Sequence, residues 1–136
     1  MSRNLAYWIS TALLCALYGI SAVFYLTQGD TVRQLLGGLG YPGYLVPVLI
    51  TAKLAGIAAV LSRVKVGLSD LAYAGMFYHL LLAISAHLNA HDYSGGVPAL
   101  LGFAFLATSF LTQNAARATP SPYAPSGAGD YKRALA

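Results

Sequence analysis

Lys53 and His79 are the two side chains whose types and positions suggest chemistry. Lys53 lies at the centre of an apolar segment, residues 44–62, and His79 lies at the same relative depth in a second one, residues 71–88. An ammonium group at the centre of a bilayer costs about 3 kcal/mol on insertion scales, so Lys53 requires a partner inside the fold. A lysine and a histidine in a low-dielectric pocket can act as acid and base, and we predict both as catalytic residues.

The predicted ligand-binding set adds Tyr18, Tyr78 and His87 to these two residues. Tyr18 belongs to a polar stripe on the first apolar segment, where the spacing places several hydroxyls on one helix face (Tyr7, Thr11, Tyr18, Ser21 and Tyr25). His87 follows His79 by two helical turns, about 12 Å along the axis, so the two imidazoles do not share one metal ion. No metal site is predicted, and a surface role for His87 with Asp92 remains open.

Composition assigns the chain to the integral membrane proteins. It is 57% hydrophobic and 9% charged, contains no glutamate and has a mean hydropathy of +0.62. A helix needs about 20 apolar residues to cross the hydrocarbon core. Four segments meet that length approximately: residues 5–27, 44–62, 71–88 and 97–113. The first is predicted to be a permanent helix, because a polar turn follows it in place of a small-residue cleavage pattern.

These segments predict an all-α fold, a four-helix antiparallel bundle with up-down-up-down order, in one domain of residues 1–115. Short connections favour antiparallel neighbours. The connection 28–43 is longer, and Asp30 and Thr31 are predicted to cap a short helix there that ends near Leu36. This helix is expected at the membrane surface, with a gating lid as the alternative. The proline-rich residues 116–136 are predicted to be a disordered cytoplasmic tail.

The positive charges predict the orientation. Six of them fall on one side of an alternating bundle, whereas Arg33 falls on the other (the six are Arg3, Arg63, Lys65, Arg117, Lys132 and Arg133). Cytoplasmic loops are enriched in Lys and Arg, so both termini are predicted to be cytoplasmic. The net charge of +4 is therefore a topology signal, and no nucleic-acid partner is predicted because no aromatic-basic motif accompanies it.

Cysteine and histidine usage limits the cofactors. Cys15 is the single cysteine, which excludes an intramolecular disulfide, a thiolate zinc site and electron transfer through a cysteine pair. A haem with two axial histidines from this chain is not expected, because buried histidine comes from the third segment alone. A five-coordinate haem or a quinone remains open as cofactor or ligand.

Four stretches resemble the DoxX-like membrane proteins: LGYPGYL at 39–45, AKLAG at 52–56, LAYAGM at 71–76 and SAHL at 85–88. The resemblance covers roughly residues 5–113 and implies a four-helix membrane bundle. The chain is predicted to be an integral protein of a bacterial inner (cytoplasmic) membrane. Asp70-Leu71 stands where relatives often have an acidic residue and a tryptophan. Relatives include subunits linked to thiosulfate and quinone oxidation, a component of a membrane redox complex and animal proteins that assist receptor assembly. Lys53 and His87 fit the family pattern.

Three functions follow as hypotheses. The first is an accessory subunit of a membrane redox system that binds a quinone or another lipophilic small molecule and needs a redox partner protein for the electrons. The second is a self-sufficient enzyme, an isomerase or hydrolase, that uses Lys53 and His79 on a lipophilic substrate. The third is an assembly or structural protein, in which Lys53 faces a partner's helices. A homo-oligomer is expected, because four short helices enclose little interior.

Overall fold

The computed structural model describes residues 1–126, which form five α-helices and no β-strand. The helices are α1 (Arg3–Thr27), α2 (Gly29–Gly38), α3 (Leu45–Ser62), α4 (Val66–Asn89) and α5 (Tyr93–Ala116). Apart from α2, each helix is long and apolar enough to cross a membrane. The predictions of an all-α fold and of four membrane-spanning helices are confirmed.

Two of the long helices begin four or five residues earlier than predicted, whereas α1 begins two residues earlier. Arg63 adopts a left-handed conformation with φ of 48° and ends α3 abruptly, so that α4 starts at Val66 and not at residue 71. Asp70, predicted to lie in the connection, is therefore inside α4. The last long helix starts at Tyr93 and not at residue 97, because the side chain of Asp92 caps it by accepting the N–H of Gly95 at 3.0 Å.

The short helix α2 is also displaced from its prediction. It begins at Gly29 and ends at Gly38, so Asp30 lies in its first turn and does not cap it. There the carboxylate accepts a hydrogen bond from Arg33 at 2.9 Å and faces the positive end of the helix dipole. On the other face, Val32 and Leu36 pack against Val46 of α3. The short helix is therefore attached to the bundle through an apolar contact.

The four long helices form a ring. α1 packs against α3 and α5, and α4 packs against the same two helices, so α1 and α4 are diagonal partners across the interior. The core between them is apolar with two tyrosines (Leu14, Tyr18, Val60, Tyr73, Met76, Leu80, Ala99 and Leu106). Large apolar side chains on all four long helices remain exposed, as a bilayer requires.

Arginines connect the helix ends at one side of the bundle, which we call the arginine end. Arg3 donates to the carbonyl of Leu111 at 3.0 Å, and Arg63 donates to Gln113 at 2.6 Å. Arg117, immediately after α5, reaches α1 and α3. His87 and His91 lie towards the other side, where α4 ends, which we call the histidine end.

The residues after α5 fold back on the arginine end as far as Ser126. Asn114 donates to the carbonyls of Ser121 and Ala124 at 2.9 and 3.0 Å, and both of those residues are buried. Residues 127–136 lie outside the described part of the chain. The disorder predicted for the tail stays a prediction for those ten residues, whereas residues 117–126 make defined contacts.

Candidate functional site

Lys53 points into the bundle from the middle of α3. Only 5% of the residue is exposed, and its Nζ lies 5.0 Å from the ring centroids of both Tyr18 and Tyr25 of α1. The negative faces of two aromatic rings stabilise an ammonium group by about 0.5–2 kcal/mol each. Among the described residues, Nζ has no hydrogen-bond acceptor and no carboxylate partner. Its hydrogen-bonding capacity is therefore unused by the protein.

Tyr18 and His79 form a hydrogen bond across the diagonal of the bundle. The Tyr18 hydroxyl is 2.9 Å from Nδ1 of His79, and the two rings meet edge to face with centroids 5.5 Å apart. When the hydroxyl donates to Nδ1, the proton of a neutral imidazole is on Nε2. The structure thus brings Lys53, Tyr18 and His79 together at one depth, as the depths in the sequence predicted.

These three side chains line a cavity of about 570 Å³, the central cavity. It runs from Lys53 to the histidine end, where His87, Gly95 and Pro98 belong to its wall. A smaller cavity of about 280 Å³ between α3 and α4 shares the same three side chains. Both cavities are therefore lined by the same three side chains, those of Lys53, Tyr18 and His79. Their polar atoms are available to a bound molecule.

His87 and Asp92 form a hydrogen bond at the histidine end. Nδ1 of His87 is 2.9 Å from Oδ2 of Asp92, while Oδ1 of Asp92 accepts the N–H of Gly95. The Gly95 N–H, and then the hydrogen bond from His87, hold the pKa of Asp92 below its usual value. This geometry orients the His87 ring at the mouth of the central cavity. Within residues 1–126, no three histidine, cysteine or acidic residues lie close enough together to hold a metal ion.

Tyr78 does not join the other predicted ligand-binding residues. It is 64% exposed and lines neither the central cavity nor the smaller one. Successive residues of a helix are rotated by about 100°, so Tyr78 and His79 cannot both face the same interior. The position of Tyr78 gives no support to its predicted role.

A second buried polar cluster lies nearer the arginine end and was not predicted. Ser109 of α5 is hydrogen-bonded to the hydroxyls of Tyr73 at 2.6 Å and Thr11 at 2.7 Å, and all three residues are almost fully buried. Ser109 itself could have indicated the cluster, because a serine hydroxyl inside an apolar stretch requires a hydrogen-bond partner. Every member is satisfied within the protein, so the cluster is structural.

The central cavity can bind and polarise an oxygen-containing molecule. Lys53 offers a cationic donor, and His79 offers Nε2, which has no protein partner among the residues described. Apolar residues of α1, α4 and α5 form most of the remaining wall. Few converging polar groups within an apolar wall are typical of small-molecule sites.

Comparison with known proteins agrees with this architecture. No curated protein and no solved structure matches the chain. The DoxX-like family matches residues 9–111, a range that contains Lys53, Tyr18, His79 and His87. Because the match covers more than half of the sequence and the structure supplies the four membrane-spanning helices, the chain is a member of the DoxX-like family.

Proposed function

We propose that the central cavity binds a lipophilic small molecule with carbonyl oxygens, such as a quinone. The observation that carries the proposal is Lys53, a buried ammonium group with aromatic neighbours and no acceptor among residues 1–126. Leaving such a donor without an acceptor is costly in a low-dielectric interior. A carbonyl oxygen beside Nζ removes that cost.

The geometry around Lys53 suits a quinone in particular. A ring with two carbonyl groups can accept from Lys53 on one side and, in the tautomer in which Tyr18 donates to Nδ1, from Nε2–H of His79 on the other. Tyr18 and Tyr25 offer aromatic faces for the ring, and the cavity volume of about 570 Å³ falls within the usual range for small ligands, about 300–1,000 Å³. If a haem bound here instead of a quinone, Nε2 of His79 would hold its iron, which requires the other tautomer, in which Nδ1–H donates to Tyr18.

The protein then acts as an accessory subunit of a membrane redox system. Quinone chemistry needs an electron carrier, and neither the sequence nor the described residues contain a cysteine pair or a metal cluster. A redox partner protein is therefore part of the proposal, as is a homo-oligomer formed through the exposed faces of the helices. A location in a bacterial inner membrane is also part of the proposal.

Replacing Lys53 by methionine should weaken quinone binding by about 10- to 100-fold, because a hydrogen bond to a charged group contributes about 1.5–3 kcal/mol. Native mass spectrometry with absorption spectra, on protein purified in mild detergent and titrated with ubiquinone-1, measures the loss. Lys65→Met is the matched control, since Lys65 is exposed and lies outside the cavity. Equal quinone affinity in both variants would contradict the proposal.

The orientation of the bundle is part of the same proposal, with up-down-up-down helices and both termini in the cytoplasm. Arg3, Arg63 and Arg117 share one end, which favours that end as the cytoplasmic one. An alkaline phosphatase fused after Ala136, which is active only outside the cytoplasm, should be inactive in cells. A fully active fusion would overturn the orientation.

A second candidate function is acid-base catalysis on a lipophilic substrate. The observation in its favour is the Tyr18–His79 hydrogen bond beside Lys53, which gives the cavity an oriented imidazole next to an amine. For this function Lys53→Met should abolish turnover while substrate still binds. The assembly function required Lys53 to face outward, whereas the residue is only 5% exposed.

A further inference from the structure

A second large cavity lies in the groove between α4 and α5, towards the arginine end. Its volume is about 650 Å³, and it shares no lining residue with the central cavity. Aromatic and aliphatic side chains form nearly all of its wall (Tyr73, Phe77, Phe103, Leu106, Phe110 and Tyr123). We call it the α4–α5 groove. Because Leu71 and Tyr123 in its wall are 68% and 76% exposed, the groove is accessible from the bilayer.

One carboxylate lies in this wall. Asp70 is 9% exposed, and its Oδ2 accepts a hydrogen bond from Ser121 at 2.9 Å. Its Oδ1 is buried and has no hydrogen-bond partner among residues 1–126, and none of the described cations lies within ion-pairing distance. Arg63, the nearest arginine in the sequence, donates through its two terminal nitrogens to Gln113 and Thr119, and its buried Nε has no partner among residues 1–126. A buried carboxylate oxygen without a donor is costly, so it calls for a donor from outside residues 1–126.

We propose that the α4–α5 groove binds a lipophilic organic cation, an amine with an extended apolar body. The ammonium group pairs with the Asp70 carboxylate in the groove wall, and the apolar body lies along Phe77, Phe103 and Phe110 inside the groove. Charge complementarity favours this occupant over a neutral or an anionic lipid. The aromatic rings add to the preference, since their faces attract cations by about 0.5–2 kcal/mol at desolvated positions.

The groove and the central cavity thus differ in the sign of their buried charge. Lys53 in the central cavity favours oxygen acceptors, whereas Asp70 in the groove favours cationic donors. The groove shares no lining residue with the central cavity and shares only Leu71 with the smaller cavity next to Lys53. The groove is therefore independent of the proposed function, and each proposal can fail without the other.

The proposal is tested by measuring how radiolabelled dodecylammonium binds to the full chain in lipid nanodiscs. The signal from empty nanodiscs is subtracted. We expect Asp70→Asn to weaken binding at least tenfold, because the neutral amide keeps the shape of the side chain and loses its charge. Asp30→Asn is the matched control, since Asp30 is exposed and paired with Arg33. Lys53→Met should leave dodecylammonium binding unchanged, which separates this site from the central cavity.

The wild-type protein gives an independent test through the head group. Dodecanol and dodecanoate have the same chain as dodecylammonium, and we expect each to compete at least tenfold less well. Ala107→Phe, which fills the groove from α5 without removing the carboxylate, should also weaken binding. Equal competition by the three head groups, or equal affinity in Asp70→Asn and Asp30→Asn, would overturn the proposal.

Discussion

Replacing Arg117 by methionine is expected to lower the free energy of unfolding by about 3 kcal/mol, because one guanidinium joins three helices. Its Nε donates to the Tyr7 hydroxyl of α1 at 2.7 Å, and its Nη2 donates to the carbonyls of Val60 and Leu61 at 2.8 and 3.1 Å. Those carbonyls belong to the last turn of α3, where no N–H of the helix is left to bind them. The guanidinium also lies 4.9 Å from the ring of Trp8.

The thermal unfolding midpoint in mild detergent measures this effect, and the fluorescence of Trp8, the single tryptophan, reports on the contact itself. Arg33→Met is the control, because Arg33 takes part in an exposed ion pair worth about 0–1 kcal/mol. Arg117→Lys keeps the charge but loses the branched donor geometry of the guanidinium. Its unfolding midpoint should therefore lie between those of Arg117→Met and Arg33→Met. An equal midpoint for Arg117→Met and Arg33→Met would show that the guanidinium does not join the helices.

The meeting of Lys53 with His79 and Tyr18 could be predicted from the sequence because a bilayer adds a physical coordinate. Each apolar segment must centre on the hydrocarbon core, so distance from the segment ends becomes depth. Polar side chains at equal depth must avoid lipid, so they are expected to face the interior of the bundle together. The structure places Lys53 at 5.0 Å from the Tyr18 ring and Tyr18 at 2.9 Å from His79.

Rotation about the helix axis was harder to predict than depth. The long helices are apolar on nearly every face, because one side meets lipid and the other meets protein, so periodicity gives little direction. Tyr78 was predicted to belong to the pocket together with its neighbour His79, yet it is 64% exposed. Depth alone cannot distinguish two neighbouring residues of one helix.

The contacts at the arginine end could not be predicted because they join residues that are far apart in the sequence. Arg117 reaches Tyr7, and Asp70 reaches Ser121 of the segment after α5. The charge pattern assigned Arg117 to a membrane surface, which is consistent with its position but says nothing of its partners. Asp70 was placed in a connection, because the left-handed turn at Arg63 that starts α4 early depends on a local conformation that few non-glycine residues adopt.

The other large effect is expected at Gly102, where α5 approaches both α1 and α4. A Cβ atom there would lie 2.9 Å from a methyl group of Leu80 and 3.2 Å from one of Leu17. Gly102→Ala can be accommodated if those flexible side chains shift by a few tenths of an ångström. Gly102→Leu adds three more carbon atoms, so the helices must separate. We expect a loss of stability of about 1–3 kcal/mol or more, the usual range for overpacked cores.

Gly75→Leu separates this packing effect from the effect of a leucine on helix stability. Gly75 is exposed in the middle of α4, and a Cβ atom there meets nothing within 4 Å. Since leucine is a better helix former than glycine, this variant should unfold at the same temperature as the wild type or higher. Thermal unfolding of both variants and of Gly102→Ala in one detergent gives the comparison.

Because α1 and α4 are held on either side of α5 at Gly102, separation there should also lengthen the Tyr18–His79 hydrogen bond and reduce quinone affinity. A Gly102→Leu protein with wild-type stability and quinone affinity would mean that the ring of helices does not close as tightly as the contacts at Gly102 require.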